Sequence, residues 1–243
     1  FLRWCHDNQY TFLGFREYHY KGRGKKARIV VDKKSGLGIL RGPGLIVFKA
    51  IHELRSATRE VRRFVESPDL LMVTNTNLQS TIHRPVHMDA IGIKRLDKNS
   101  RVIGQRLFVG LFTSAAYSRS PRDIPLLRRR LEKTVERAGF PSGSHDAKAL
   151  THIVETFPRD ELFQITDDYL LETSLGILHL QDRQRVALFF RRDDFERFIS
   201  CLIYVPRDRY TTALRRAMQD ILCEAFGGEV SAHHAEIGDS PLA

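Results

Sequence analysis

Apolar residues fall in short runs broken by glycine, proline and aspartate through the first half of the chain, and at helical spacing through much of the second. The segment 11–20 (Thr-Phe-Leu-Gly-Phe-Arg-Glu-Tyr-His-Tyr) is aromatic-rich and ends in a cationic, glycine-bearing turn. Strands are predicted there and over 28–31, 36–40 and 45–48, with gaps short enough for antiparallel hairpins and too short for helical crossovers. Ile51, Leu54, Val61, Phe64 and Val65 then recur at helical spacing, and Ser67-Pro68-Asp69 stops that helix. Strands resume at 70–74 and around 80–82. The runs 90–95 and 102–114, joined across Asp97-Lys98-Asn99-Ser100, form the clearest hairpin.

After Tyr117 the period changes. Ser120-Pro121-Arg122-Asp123 offers a cap, a proline at the first helical position and an acid in the first turn. Leu127, Leu131, Val135 and Ala138 mark one face of that helix, and Gly139 is its natural stop. Ser144 caps a second helix through Leu150, Ile153, Val154 and Phe157. Thr166-Asp167-Asp168 opens a third, with Leu171, Leu175 and Leu178 in register. Strands are expected again at 186–190 and 198–205. A helix from Thr211 follows, with Leu214, Met218, Ile221, Leu222 and Ala225 inward, and a strand over 229–237. That order is half of a ferredoxin-like unit. The expected class is α+β: a mainly antiparallel sheet domain, a helical connector and a partial βαβ segment.

The 243 residues carry 39 Lys+Arg against 29 Asp+Glu, a net charge of +10, with 42% hydrophobic residues. This is globular composition rather than the polar profile of disorder. No apolar run reaches the 18 or so residues that cross a bilayer. Three cysteines, Cys5, Cys201 and Cys223, lie far apart without a CxxC pair, so neither a disulfide framework nor a zinc site is expected, and the reducing cytoplasm suits them. The basic residues cluster at 21–28, at Arg59, Arg62 and Arg63, and at Arg128-Arg129-Arg130, but no aromatic string accompanies them. Solvated faces or subunit contacts explain them better than specific nucleic-acid binding. The chain opens on Phe1 and closes on Asp239-Ser240-Pro241-Leu242-Ala243, which reads as a piece cut from a longer polypeptide.

Candidate chemistry is sparse. Gly22-Arg23-Gly24-Lys25-Lys26-Ala27 fits a dinucleotide fingerprint in letters, but it feeds a strand, and the fingerprint works through helix N-terminal amides. His83 and His87 are four apart across Pro85, so an extended segment separates them, and His233-His234 would point to opposite faces of a strand. Ser142-Gly143-Ser144-His145-Asp146 holds serine, histidine and aspartate in a row, whereas a triad converges from separate elements. Helix capping by Ser144 explains it better. No catalytic, cofactor-binding or metal residue is therefore assigned. The segment 113–122 brings hydroxyls and arginines to a helix start, an anion-friendly arrangement. Arg84, Arg119, Ser120 and Arg122 are the candidates for holding a carboxylate or phosphate.

Several collinear segments carry a resemblance. They include 12–18 (FLGFREY), 80–89 (STIHRPVHMD), 110–117 (GLFTSAAY), 124–129 (IPLLRR), 143–146 (GSHD), 157–163 (FPRDELF) and 201–210 (CLIYVPRDRY). Together they resemble the regulatory region preceding the catalytic domain of the large bacterial NAD-specific glutamate dehydrogenases. The resemblance implies a cytoplasmic homo-oligomer that oxidises L-glutamate to 2-oxoglutarate and ammonium. It implies a PAS-like module over 1–118, a helical connector over 119–184 and the first half of an ACT-like module over 185–243. NAD would bind the parent's catalytic domain and no cofactor this segment. The expected partners are the rest of the polypeptide, other subunits and a small-metabolite effector. A purely structural oligomerisation module is the alternative, and a basic nucleic-acid-binding protein a more distant one.

Overall fold

The computed structural model describes residues 1–22, 28–42, 47, 67, 69–83, 85–182 and 185–236. The predicted strand at 45–48 (save Val47), the predicted helix at 51–65 and Arg84 lie outside the described residues. A short helical segment, Leu2–Trp4 widening over Cys5–Gln9, leads into strand β1 (Tyr10–Lys21). β2 (Arg28–Val31) and the two-residue β3 (Leu37–Gly38) follow, then β4 (Leu71–Gln79), β5 (His87–Leu96) and β6 (Val102–Phe112). Every pairing is antiparallel, in the order β2-β1-β6-β5-β4, with β3 beside β1, and the sheet is curled.

The β5–β6 hairpin forms at the predicted turn. Asp97 Oδ1 accepts from the amides of Asn99 (2.8 Å) and Arg101 (2.9 Å), and Ser100 takes a positive φ of 58°. Two predicted strands do not form as expected. The run 36–40 makes only the β3 bridge and a turn. Residues 80–82 are a turn in which Ser80 Oγ accepts from the Ile82 amide, so β4 ends at Gln79. In both places amides that would extend the ladder are taken up within the turn: Leu40 and Arg41 donate to the Leu37 and Gly38 carbonyls, and Ile82 to Ser80 Oγ.

Both faces of the sheet carry packed apolar residues, although the β1–β6 end of one face stays partly open. One face carries Tyr18, Met72, Met88, Ala90, Leu107, Val109 and Leu111, packed with Leu40 and Val47. The opposite face carries Val73, Ile91 and Phe112 against the helical layer.

That layer contains α1 (Ser114–Ser118), α2 (Pro125–Ala138), α3 (His145–Thr156), α4 (Arg159–Gln164) and α5 (Asp167–Asp182). Ser120 caps a 3₁₀ turn at Pro121–Asp123 rather than the long helix, which starts afresh at Pro125. Gly139 (φ 70°) closes α2 and Ser144 caps α3, as expected. α4 went unpredicted because six residues carry too little periodicity. The buried stripe of α5 is Leu170, Thr173, Ser174, Ile177, Leu178 and Leu180, while Leu171 and Leu175 are half-buried. α5 is covered by α2 and α3 and also by the hairpin below, so its burial exceeds one stripe. Arg130, Lys133 and Arg137 of α2 meet Asp167 and Asp168 of α5 at 3.7, 2.6 and 2.7 Å.

β7 (Ala187–Arg192) and β8 (Ile199–Tyr204) form a separate antiparallel hairpin. Its Phe189 ring approaches α5 so closely that a Cβ on Gly176 would sit 2.6 Å from it. α6 (Thr212–Phe226) is capped by Thr211 and stopped by Gly227. Its half-buried stripe is Leu214, Met218 and Leu222, whereas Ile221 and Ala225 are exposed. The strand expected at 229–237 is absent over the described residues 229–236, which are exposed coil, because no ladder is offered to them. No helix of the described residues is long and apolar enough to cross a membrane.

Lys94 is the one strongly shifted lysine among the described residues. It is buried, its Nζ donates to the Ser67 carbonyl at 2.6 Å, and burial pushes its pKa down to about 8 against attraction by Asp69. Between that value and the unfolded 10.5 the unfolded chain holds the extra proton, so stability rises with pH there. The rise is at most about 1.4 kcal/mol per pH unit. Thermal denaturation across that window should show the rise in the wild-type chain and lose it in Lys94→Met.

Candidate functional site

The expected anion corner is a structural junction. Arg119 follows α1, and its carbonyl accepts from Arg159 Nη2 of α4 at 3.2 Å. Ser120 Oγ accepts from the Arg122 amide at 3.2 Å, and the Arg122 guanidinium is paired with Glu155 of α3. Arg119, Ser120 and Arg122 are thus neighbours along one exposed turn, but Arg122 is neutralised and Ser120 accepts a local amide. Arg159, which sequence reasoning missed, completes the junction. Its Nε and Nη1 are enclosed with no hydrogen-bond partner among the described residues, and burial lowers its pKa.

The other motifs resolve as follows. Gly22 takes φ 80° at the end of β1, and Arg28, opposite Lys21, already begins β2; the rest of the fingerprint, 23–27, lies outside the described residues. His83 and Pro85 lie in an exposed turn, and His233-His234 in exposed coil. Ser144 accepts from the Ala147 amide at 3.2 Å, while His145 and Asp146 point into solvent. The Cys5 thiol is buried and pushed up to about 12, far from a reactive thiolate.

The most elaborate polar site lies where the β7–β8 hairpin meets the sheet. Its turn, residues 193–198, folds around Asp193. One carboxylate oxygen accepts from the Phe195 amide (3.1 Å), the Arg197 amide (3.3 Å) and Arg197 Nε (2.7 Å); the other accepts from Arg197 Nη2 at 2.8 Å. The side chains are only 2% and 13% exposed. Arg197 then reaches the edge strand β4, donating from Nη2 to Thr74 Oγ1 at 2.9 Å and from Nη1 to the Asn75 carbonyl. Phe195, 3% exposed, enters the sheet's own core. Gln164, at the end of α4, joins the same place through Thr74 (3.3 Å) and Asn75 (3.5 Å).

The stem of the hairpin is held as well. Arg191 makes a two-pronged pair with Glu161 of α4 at 2.8 and 2.9 Å, with both side chains about nine-tenths buried. Tyr169 of α5 donates to the Phe190 carbonyl at 2.5 Å. Sheet, helices and hairpin therefore share one network of buried charges, without a nucleophile–base pair in it. Sequence reading passed over these residues because the partners of Arg191 and the strand contacts of Arg197 come from distant segments, although Asp193 and Arg197 share one turn. A phenylalanine inside the charged turn Asp193-Asp194-Phe195-Glu196-Arg197 was the available signal.

Comparison with known proteins identifies the class. Residues 124–183 match the family model described as glutamate dehydrogenase, helical motif 1, and residues 187–243 match glutamate dehydrogenase, ACT2 domain. The NAD-specific glutamate dehydrogenase of Halomonas elongata is 38% identical over 244 residues, covering 100% of this chain and 15% of that protein. That of Pseudomonas aeruginosa is 38% identical over 224 residues, 92% of this chain and 14% of the relative. That of Mycobacterium tuberculosis is 31% identical over 242 residues, 100% of this chain and 14% of the relative. The chain is thus similar to a regulatory, ACT/PAS-like stretch of much larger NAD-specific glutamate dehydrogenases, and it spans 14–15% of these relatives' length.

Two substitutions probe the junctions. Arg197→Met leaves Asp193 buried without its cation, which should cost about 3–5 kcal/mol. Amide exchange over β7 and β8 should accelerate accordingly, with Phe195→Ala losing a comparable amount through the cavity it leaves. Arg159→Met should instead raise the melting temperature, because it removes two enclosed donors that have no acceptor, worth about 1–3 kcal/mol. A drop of several degrees would mean that those donors are satisfied.

Proposed function

We propose that this chain is a non-catalytic regulatory and assembly segment of an NAD-dependent glutamate dehydrogenase. The parent reaction takes L-glutamate, NAD and water to 2-oxoglutarate, ammonium and NADH. In this reading residues 1–118 are a PAS-like module, 119–184 a helical connector and 185–243 part of an ACT-like module. NAD is held by the catalytic domain elsewhere in the parent. The partners are that remaining polypeptide and other subunits of a cytoplasmic homo-oligomer.

The observation that carries the proposal is the double attachment of the β7–β8 hairpin. Its tip enters the sheet through Phe195 and Arg197, and its stem is tied to α4 and α5 through Arg191 and Tyr169. A displacement of the hairpin therefore has to move a buried ion pair at one end or the other. Two discrete packings, rather than a continuous drift, are what such an attachment permits. The arginine turn at 119–122 serves this reading as a fixed corner of the connector, since Arg122 is held by Glu155 and Arg159 by the Arg119 carbonyl. That same corner favours the second reading, a purely structural assembly module that binds no effector.

The test is Arg197→Met in the full-length enzyme, followed by sedimentation and by NADH production across a series of amino acids. A changed subunit distribution or effector response is expected, with kcat at saturating glutamate and NAD within about twofold of wild type. A correctly assembled variant whose kcat falls by about a hundredfold would show that this region supplies catalytic groups. An altered subunit distribution in an enzyme that no amino acid modulates would favour the structural reading.

A further inference from the structure

We propose that the outer face of β1 and β6 binds a small aromatic carboxylate. The proposal rests on the regulatory reading and gives it a ligand site. The face holds an open groove of about 590 Å³, lined chiefly by Phe12, Phe15, Leu37 and Phe108, with Glu17 and Arg106 at one side. Small-molecule sites of this size are commonly apolar with a few placed polar groups.

A break in the strand builds the floor of the groove. Phe12 and Phe15 are three residues apart and would face opposite ways in a regular strand. The β1–β6 register shifts between Phe12 and Gly14, so that Phe12 stands opposite Gly110 and Phe15 opposite Phe108. Both rings thereby share the face of Phe108, with centroids 5.7 and 5.0 Å from it. The bulge is locked from the side: the Ile39 amide donates to the Leu13 carbonyl at 2.9 Å. Gly38, at φ 57°, passes so close that a Cβ would sit 2.1 Å from that carbonyl oxygen. The aromatic floor is therefore present before any ligand arrives, which lowers the ordering cost of binding.

The rim is apolar and open to water. Phe12 is 45% and Leu37 57% exposed. A ligand's apolar body laid over them would take both from water. The polar end carries an excess of positive charge. Glu17 accepts from Arg106 Nε at 2.8 Å and from Arg95 Nη1 at 3.1 Å, so two guanidiniums share one carboxylate. Arg106 is half-exposed and lines the groove, and its two Nη atoms take no partner among the described residues. A second carboxylate at that end would balance the pair and give those donors an acceptor. An aromatic body over the three phenylalanines and an anionic oxygen at Arg106 together define the ligand class.

Calorimetry on the 243-residue chain tests this with phenylacetate, its neutral amide phenylacetamide, and acetate. Saturable binding of phenylacetate at one site per chain is expected, with the amide and acetate weaker. Phe12→Ser should weaken phenylacetate at least about tenfold. Arg106→Gln should erase the preference for the acid over the amide. Absence of phenylacetate binding up to about 10 mM by a folded chain would overturn the proposal. So would binding that both variants leave unchanged. If Phe12→Ser instead reduces the sedimenting mass and no ligand binds, the face is a subunit contact and the small-ligand site is refuted. None of these results alters the Arg197 measurement, so the two readings stand or fall separately.

Discussion

An open six-strand antiparallel sheet with apolar side chains on both faces has a liability besides its faces, the free backbone of its edge strands. At the β4 edge, Gln164 and Arg197 reach in from 89–90 and 122–123 positions away. Arg197 takes the Asn75 carbonyl and the Thr74 hydroxyl, and Phe195 fills the core behind them. The arginine can stay in that buried place because Asp193 accompanies it, both residues lying in one six-residue turn. Protection of this edge, the conformation of the turn and the attachment of the hairpin's tip thus share one ion pair, while Arg191 and Tyr169 hold its stem.

The helical layer shows a different use of charge. α2 is strongly basic, and its arginines read in the sequence as a solvated face or a subunit contact. In the folded chain Arg130, Lys133 and Arg137 face the acidic start of α5, where the aspartates also favour the helix N-terminus. Arg191 is likewise directed inward, to Glu161. Much of the positive charge concentrated on these elements is therefore answered within the chain. The basic balance of the composition says little about what the protein binds.

Legibility in the sequence followed the range of the interaction. Ser144, Thr211, Gly139 and Gly227 cap or stop their helices through bonds within a few residues, and these were readable. The β5–β6 hairpin was readable for the same reason, since Asp97 organises its own turn. The long helix expected to be capped by Ser120 starts four residues later because two prolines, Pro121 and Pro125, compete for its first position, and the first opens only a 3₁₀ turn. The strand expected at 229–237 illustrates the opposite failure. Its alternation is adequate, but a strand exists only when another strand supplies hydrogen bonds.

Of the candidate site, the sequence carried the hydroxyls and arginines of 119–122 but not their partners, Glu155 and Arg159. It carried Phe12 and Phe15 but not the bulge that brings both to one face. By itself it determined the α+β class, the order of elements, most of the caps, and the likeness to the large NAD-specific glutamate dehydrogenases. Those properties are set by local backbone preference and by apolar periodicity, which are written residue by residue. Only the tertiary structure decided which charges are buried, which edge is covered, and where an open apolar groove remains. Those depend on side chains meeting across long stretches of chain, where geometry rather than pattern selects the partner.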